Sequence, residues 1–226
     1  MILVSFAGMA QYYYDRSKVN GKPFQNDDLP AYYTKYLSLS WDINAPLSNR
    51  QFLGNASATG IKLSYRKRLS DFDNIWGGID LGLVGYSQHF PYQTYYSSSA
   101  ATSADFYNYA TNFSVTCSID YLLVPTEKKL IPFVGLALGG ASTNFTQYYN
   151  VNTATDHAWG LLVRPEAGVI AGFKANSAWR LKAGLHYDFA SNTSTFAKNN
   201  FLLLRGSEYK NFINAGVELG LVKMIR

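Results

Sequence analysis

The chain has one cysteine, Cys117, in 226 residues, which excludes an intrachain disulfide and a cysteine-rich metal site. It is also poor in charge: Asp, Glu, Lys and Arg make up 15% of it, against roughly 25% in a typical soluble domain. No run approaches the roughly 18 to 20 apolar residues that a transmembrane helix requires. The net charge is +5, yet Lys and Arg are scattered rather than clustered on one face, which argues against a nucleic-acid partner. His89, His157 and His186 lie far apart, and no His, Asp and Glu set has zinc-ligand spacing. Neither a metal nor a cofactor is expected.

What the chain does have is aromatic residues, 16% of the total, and a strict alternation of apolar and polar side chains. The cleanest stretch is Trp179-Arg180-Leu181-Lys182-Ala183-Gly184-Leu185-His186-Tyr187-Asp188-Phe189. One face carries Trp, Leu, Ala, Leu, Tyr and Phe, and the other carries Arg, Lys, Gly, His and Asp. Eight such stretches follow from about Tyr32 onward, although the fifth, Leu130 to Gly140, is apolar on both faces and its parity cannot be read. Alternation over about ten residues with an apolar outer face is the pattern of a transmembrane β-barrel strand. A chain that crosses a bilayer without helices must close its sheet, because open edges cannot be satisfied in hydrocarbon. The expected fold is therefore all-β: an eight-stranded antiparallel barrel of up-and-down topology.

A soluble β-sandwich or lipocalin-like barrel also alternates. Its polar faces meet water and should be rich in Lys, Glu and Thr. Here those faces are mostly Gly, Ser, Asn and Tyr with isolated charges, which suits a confined interior better.

The connections expected after strands two, four and six are short: 70–74, 125–129 and 175–177. Those after strands one, three, five and seven are long, at 44–55, 88–105, 141–157 and 190–206. That asymmetry, with an even strand number, places both termini in the periplasm. Lys35, Lys67 and Lys223 on the apolar faces all fall at the short-turn end, where they can snorkel to the interface. Residues 1–10 read as the end of a secretory signal peptide, with Gly8 and Ala10 preceding a cleavage point, although an ordinary first strand is the alternative. Residues 11–31 read as a polar periplasmic leader, and 32–226 as the barrel.

The inward faces collect Asp42, Asp80, Asp120, Glu166, Asp188 and Glu218 against Lys62, Arg66, Arg164, Arg180 and Lys182, with Arg68 less firmly placed at a turn. Eight strands leave an interior just wide enough for side chains to fill, and charges there must be paired. A structural plug is the expectation, ahead of a narrow porin-like channel. His186 and Asp188 are the weak catalytic candidates, since a His–carboxylate pair can polarise a serine and Ser191 follows closely. The ordinary reading is a satisfied interior histidine, and no catalytic set is assigned. Trp41, Tyr107, Tyr109, Tyr121, Trp159 and Trp179 lie towards strand ends on apolar faces, as interfacial aromatic girdles do. Tyr92, Tyr95, Tyr96, Phe106, Tyr148 and Tyr149 fall in the long connections amid Ser, Asn and Thr, a mixture suited to protein or glycan contact.

Lys129-Leu130-Ile131-Pro132-Phe133-Val134-Gly135-Leu136-Ala137-Leu138-Gly139-Gly140 resembles the mid-barrel strand of small OmpA-like and opacity-type outer-membrane proteins. Arg164-Pro165-Glu166-Ala167-Gly168-Val169 is similar to the strand that follows it. The resemblance covers about residues 32–225 and implies a Gram-negative outer-membrane barrel without a large pore. Such proteins serve in adhesion, in envelope integrity or as subunits of larger assemblies, including PorT-like secretion components. The implied partners are outer-membrane lipid and lipopolysaccharide, a protein or glycan at the long connections, and other members of an outer-membrane complex. The expected role is non-enzymatic, with a lipid A-modifying hydrolase as the alternative. The chain ends Lys-Met-Ile-Arg, where these barrels end on an aromatic residue.

Overall fold

In the computed structural model, residues 33–48, 50, 52–69, 74–96, 101–191 and 211–226 are described. The expected signal remnant and the whole of the expected leader therefore lie outside the described residues, as does most of the 190–206 connection. Eight strands pair in sequence order and close: β1 (Lys35–Pro46), β2 (Ser57–Arg68), β3 (Ile75–Tyr96), β4 (Ala101–Leu122), β5 (Leu130–Tyr149), β6 (Asn152–Gly172), β7 (Trp179–Ala190) and β8 (Phe212–Ile225). Every pairing is antiparallel, including β1 with β8, so the sheet has no free edge around the barrel wall.

The period-two pattern sorts side chains as the sequence predicts. In β7, Trp179, Leu181, Leu185, Tyr187 and Phe189 face outward while Arg180, Lys182, His186 and Asp188 are buried. An apolar exterior around a charged interior inverts a soluble protein and matches a bilayer as solvent. The unreadable fifth strand resolves with its odd residues inward: Ile131, Phe133, Ala137, Ala141, Thr143, Phe145 and Gln147 are buried, and Leu130, Val134, Leu136 and Leu138 are exposed. Both of its faces are apolar because its inward side chains serve the apolar layers at the two ends of the barrel.

Two expectations are corrected. The connections expected at 88–105 and 141–157 are mostly strand. β3, β4, β5 and β6 run for 22, 22, 20 and 21 residues, against 12, 12, 12 and 14 for β1, β2, β7 and β8. The Tyr-, Thr- and Asn-rich composition that suggested loops is equally strand-forming when Tyr and Thr alternate with small polar residues. β5 and β6 join through Asn150 and Val151, with Asn150 at φ 49°, a left-handed position that Asn tolerates. The second correction is Tyr33, which by its parity with Lys35, Leu37 and Leu39 is expected on the outer face. It precedes the first strand and turns inward, its hydroxyl donating to the Asn176 carbonyl at 2.5 Å.

The interior is layered. At the short-turn end an apolar floor comprises Tyr36, Trp76, Leu122, Ile131, Phe133, Ile170, Val222 and Met224. At the opposite end Val84, Tyr86, Ala110, Phe145, Leu162 and Phe212 form a lid. Phe52 and Leu53, from the connection between β1 and β2, fold down into that lid and are 1% exposed each. The paired charges lie between the two.

Candidate functional site: the buried charge belt and the ribbon above it

Small inward residues make room for the belt. Ser38, Ser40, Ser64, Gly82, Gly135 and Gly139 occupy inward positions on β1, β2, β3 and β5. A Cβ on Gly135 would sit 2.5 Å from an Asp120 carboxylate oxygen and 3.0 Å from Glu166 Cγ, so these long side chains occupy the space a larger residue would need.

Arg66 is the hub at the floor side. It holds Asp80 through two nitrogens at 2.6 and 3.1 Å and Asp120 through Nε at 2.8 Å. The Tyr36 hydroxyl donates to the same Asp120 oxygen at 2.7 Å. Above it, Lys62 lies 2.8 Å from Glu166 and 2.7 Å from Glu218, while Lys182 lies 3.1 Å from Glu218 and 3.8 Å from Glu166. A third group joins Arg164 to Asp188 at 2.5 Å, and His186 bridges Asp188 at 3.1 Å and Asp42 at 2.7 Å. All these groups are buried, so each depends on its partners rather than on water.

Arg180 departs from expectation. It is buried, but its guanidinium donates to the carbonyls of Ser177, Lys128 and Thr126 at 3.0, 2.7 and 2.5 Å. It ties two short turns across the floor instead of joining the carboxylates, because it sits at the first turn-proximal position of β7. Arg68 is half-buried at the end of β2. The sequence reading missed Tyr36, Phe52 and Leu53. The adjacent Phe52-Leu53 pair, two large apolar residues together in a connection otherwise rich in Asn, Ser, Arg and Gln, was the available signal.

The catalytic candidates are brought together only in part. His186 and Asp188 touch, but both ring nitrogens of His186 face carboxylates. The Ser191 hydroxyl instead accepts the Leu161 backbone N–H at 2.9 Å.

Trp41, Tyr107, Tyr109, Tyr121, Trp159 and Trp179 are all exposed on the outer wall. Because β4 and β6 are longer than expected, Tyr107, Tyr109 and Trp159 stand within strands rather than near their ends. All three lie on the ribbon side of the last β6–β7 pairing, Leu162 opposite Ala190, whose row continues through Gly139 to Thr116.

Beyond that level β3 to β6 continue as a four-stranded ribbon. Its strands extend on the order of 30 Å past the shorter half of the barrel, at about 3.3 Å per residue. Phe106 and Tyr149 stack at 5.8 Å, and His89 stacks on Tyr107 at 4.4 Å. Tyr92 and Tyr148 are exposed, and Tyr95 and Tyr96 pair with Thr102 and Ala101 in the ladder. Over residues 87–113 and 141–161 there is no Lys or Arg. Asp105 and Asp156 are the acidic residues there.

No protein-family model matches this sequence, and neither does any curated protein. Among solved structures the chain is similar to Neisserial surface protein A, with 14% identity and a TM-score of 0.47 over 86% of this chain and 98% of that one. It is also similar to the N-terminal β-barrel domain of Pseudomonas aeruginosa OprF, with 12% identity and a TM-score of 0.41 over 83% and 96%. The attachment invasion locus protein Ail of Yersinia pestis, solved with the heparin analogue sucrose octasulfate, has 10% identity and a TM-score of 0.46 over 86% and 99%. The strand pairing itself makes the chain a closed eight-stranded antiparallel barrel. A closed all-antiparallel sheet with an apolar wall is the architecture of small outer-membrane barrels.

Proposed function

We propose that this chain is a bacterial outer-membrane barrel that holds a rigid ribbon above the bilayer to contact a protein or glycan, and that it conducts nothing and catalyses nothing. The observation that carries this reading is the lopsided strand length: half of the wall continues far beyond the rest as paired strands. The ribbon takes the place of two short turns, and its ladder fixes the spacing of its side chains. Aromatic side chains with Asn, Ser and Thr give large contact area at low entropic cost. The lack of Lys and Arg in the ribbon disfavours a sulfated or phosphorylated ligand and favours a neutral one.

In this reading the short turns and both termini face the periplasm and the ribbon faces outward. Interior ion pairs and the Phe52–Leu53 lid close the lumen, so function belongs to the ribbon and the outer wall. Trp41, Tyr121, Trp159 and Trp179 anchor the barrel at the two interfaces, while Tyr107 and Tyr109 stand on the ribbon.

The test removes 91–105 and 148–153, closing each hairpin with an Asn-Gly turn. Cells displaying the full chain and the shortened one are compared on a glycan array and on immobilised matrix proteins. Retention by the full chain alone is expected. Equal retention by both, with the shortened barrel still folded, would sink the proposal.

A further inference from the structure

On the outer wall near the short turns, Lys35 of β1 stands directly opposite Lys67 of β2. Directly opposed side chains have Cβ atoms roughly 4.5–5.5 Å apart, and like charges in that position destabilise a sheet. No carboxylate among the described residues forms an ion pair with either lysine. The next residue along the same row is Gly77 of β3, opposite Lys67, followed by Ile119 of β4 and Leu136 of β5. Gly77 leaves the wall without a side chain there. The result is an apolar groove of about 870 Å³, bounded by Lys67 and lined by Leu69, Ile119, Tyr121, Val134 and Leu136.

Gly77 is not required by packing. A Cβ there would meet only the Leu69 side chain, at 3.4 Å. Lys223, one strand over on β8, holds its ammonium 4.8 Å from the Trp179 ring, so both residues mark this level as the membrane interface.

We propose that the lysine pair and the groove form a site for one anionic phospholipid, its phosphate between the Lys35 and Lys67 ammonium groups and an acyl chain along the groove over Gly77. The opposed charges supply what a phosphate needs, and the apolar trough beside them supplies what a chain needs. This site rests on the barrel lying in a bilayer, not on the ribbon's role.

The full chain is inserted into vesicles of equal phosphatidylglycerol and phosphatidylcholine, extracted in mild detergent, and its retained lipid read by native mass spectrometry. Phosphatidylglycerol is expected to be enriched at least about fivefold, the scale of a single lysine near an anionic surface, since two flank the phosphate. The enrichment should persist in K35R/K67R and fall to parity in K35Q/K67Q. G77L, which fills the groove while leaving both charges, should retain less lipid in total; undiminished retention in G77L would overturn the groove's part in the site. Parity in the unaltered chain, or unchanged enrichment in K35Q/K67Q, would overturn the site. A dimer that dissolves in G77L would assign the groove to a second copy and overturn it as well. Failure to enter vesicles at all would refute the membrane reading instead, and is seen before any lipid is measured.

Discussion

Arg164 on β6 grips Asp188 on β7 through two guanidinium nitrogens, Nε at 2.5 Å and Nη2 at 2.6 Å, in the buried middle of the barrel. Removing one partner strands the other in a dry interior, which costs about 3–5 kcal/mol, whereas replacing both with apolar residues of similar volume is often close to neutral. D188A is therefore expected to lose about 3–5 kcal/mol in urea unfolding from lipid vesicles. R164M/D188N, which keeps a hydrogen-bond acceptor for His186, should lose clearly less. Equal losses in the two variants would mean that the pair is not what holds this level together.

In the proposed function the lumen is closed twice over, by the ion-paired belt and by the lid that Phe52 and Leu53 complete. Phe52 packs edge-on against Phe145 at 5.8 Å, and its carbonyl accepts from Asn108 Nδ2 at 3.0 Å. F52A is expected to cost about 3–5 kcal/mol, the usual range for a buried Phe. F52A/L53A should still show no stable conductance in planar bilayers, since the belt beneath remains. Discrete channels in this variant but not in the unaltered chain would make the lid, rather than the belt, the seal.

The wall was legible in the sequence because a strand shows its two faces directly in its residue order, as β7 does without exception. The inward charges were legible for the same reason. Their pairing was not: that Arg66 reaches Asp80 and Asp120 while Arg180 turns to three carbonyls depends on register and on depth along the axis. The ribbon was hidden because Tyr, Thr, Ser and Asn serve strands and loops alike, and no apolar face marks a sheet that leaves the bilayer. Strand five was ambiguous because Ile131 and Phe133 build the floor while Val134 and Leu136 meet the outside.

The hydrolase alternative needs His186 to take a proton from a serine. Asp42 and Asp188 hold its two ring nitrogens at 2.7 and 3.1 Å, and the Ser191 hydroxyl is engaged with the Leu161 N–H. Lipid A from cells overproducing the chain should therefore match that of cells producing H186Q and of cells lacking it, by mass spectrometry. A lipid A species made by the unaltered chain and absent with H186Q would restore the enzyme.

Gly77 and Gly78 are neighbours that face opposite sides of the wall, and they give a sharp test of side-chain parity. A Cβ on inward Gly78 would lie 1.8 Å from the Tyr65 carbonyl oxygen, inside the backbone of β2. Backbone cannot yield as a side-chain end can, so G78A must push β2 and β3 apart next to Arg66. A Cβ on outward Gly77 meets only the mobile end of Leu69. G77A is therefore expected to fold with the heat-modifiable gel shift of the unaltered chain, and G78A to show the shift in a small fraction or not at all. Equal folding of both would mean that β2 and β3 are not paired with Arg66 opposite Gly78, and the register of the whole floor would have to be redrawn.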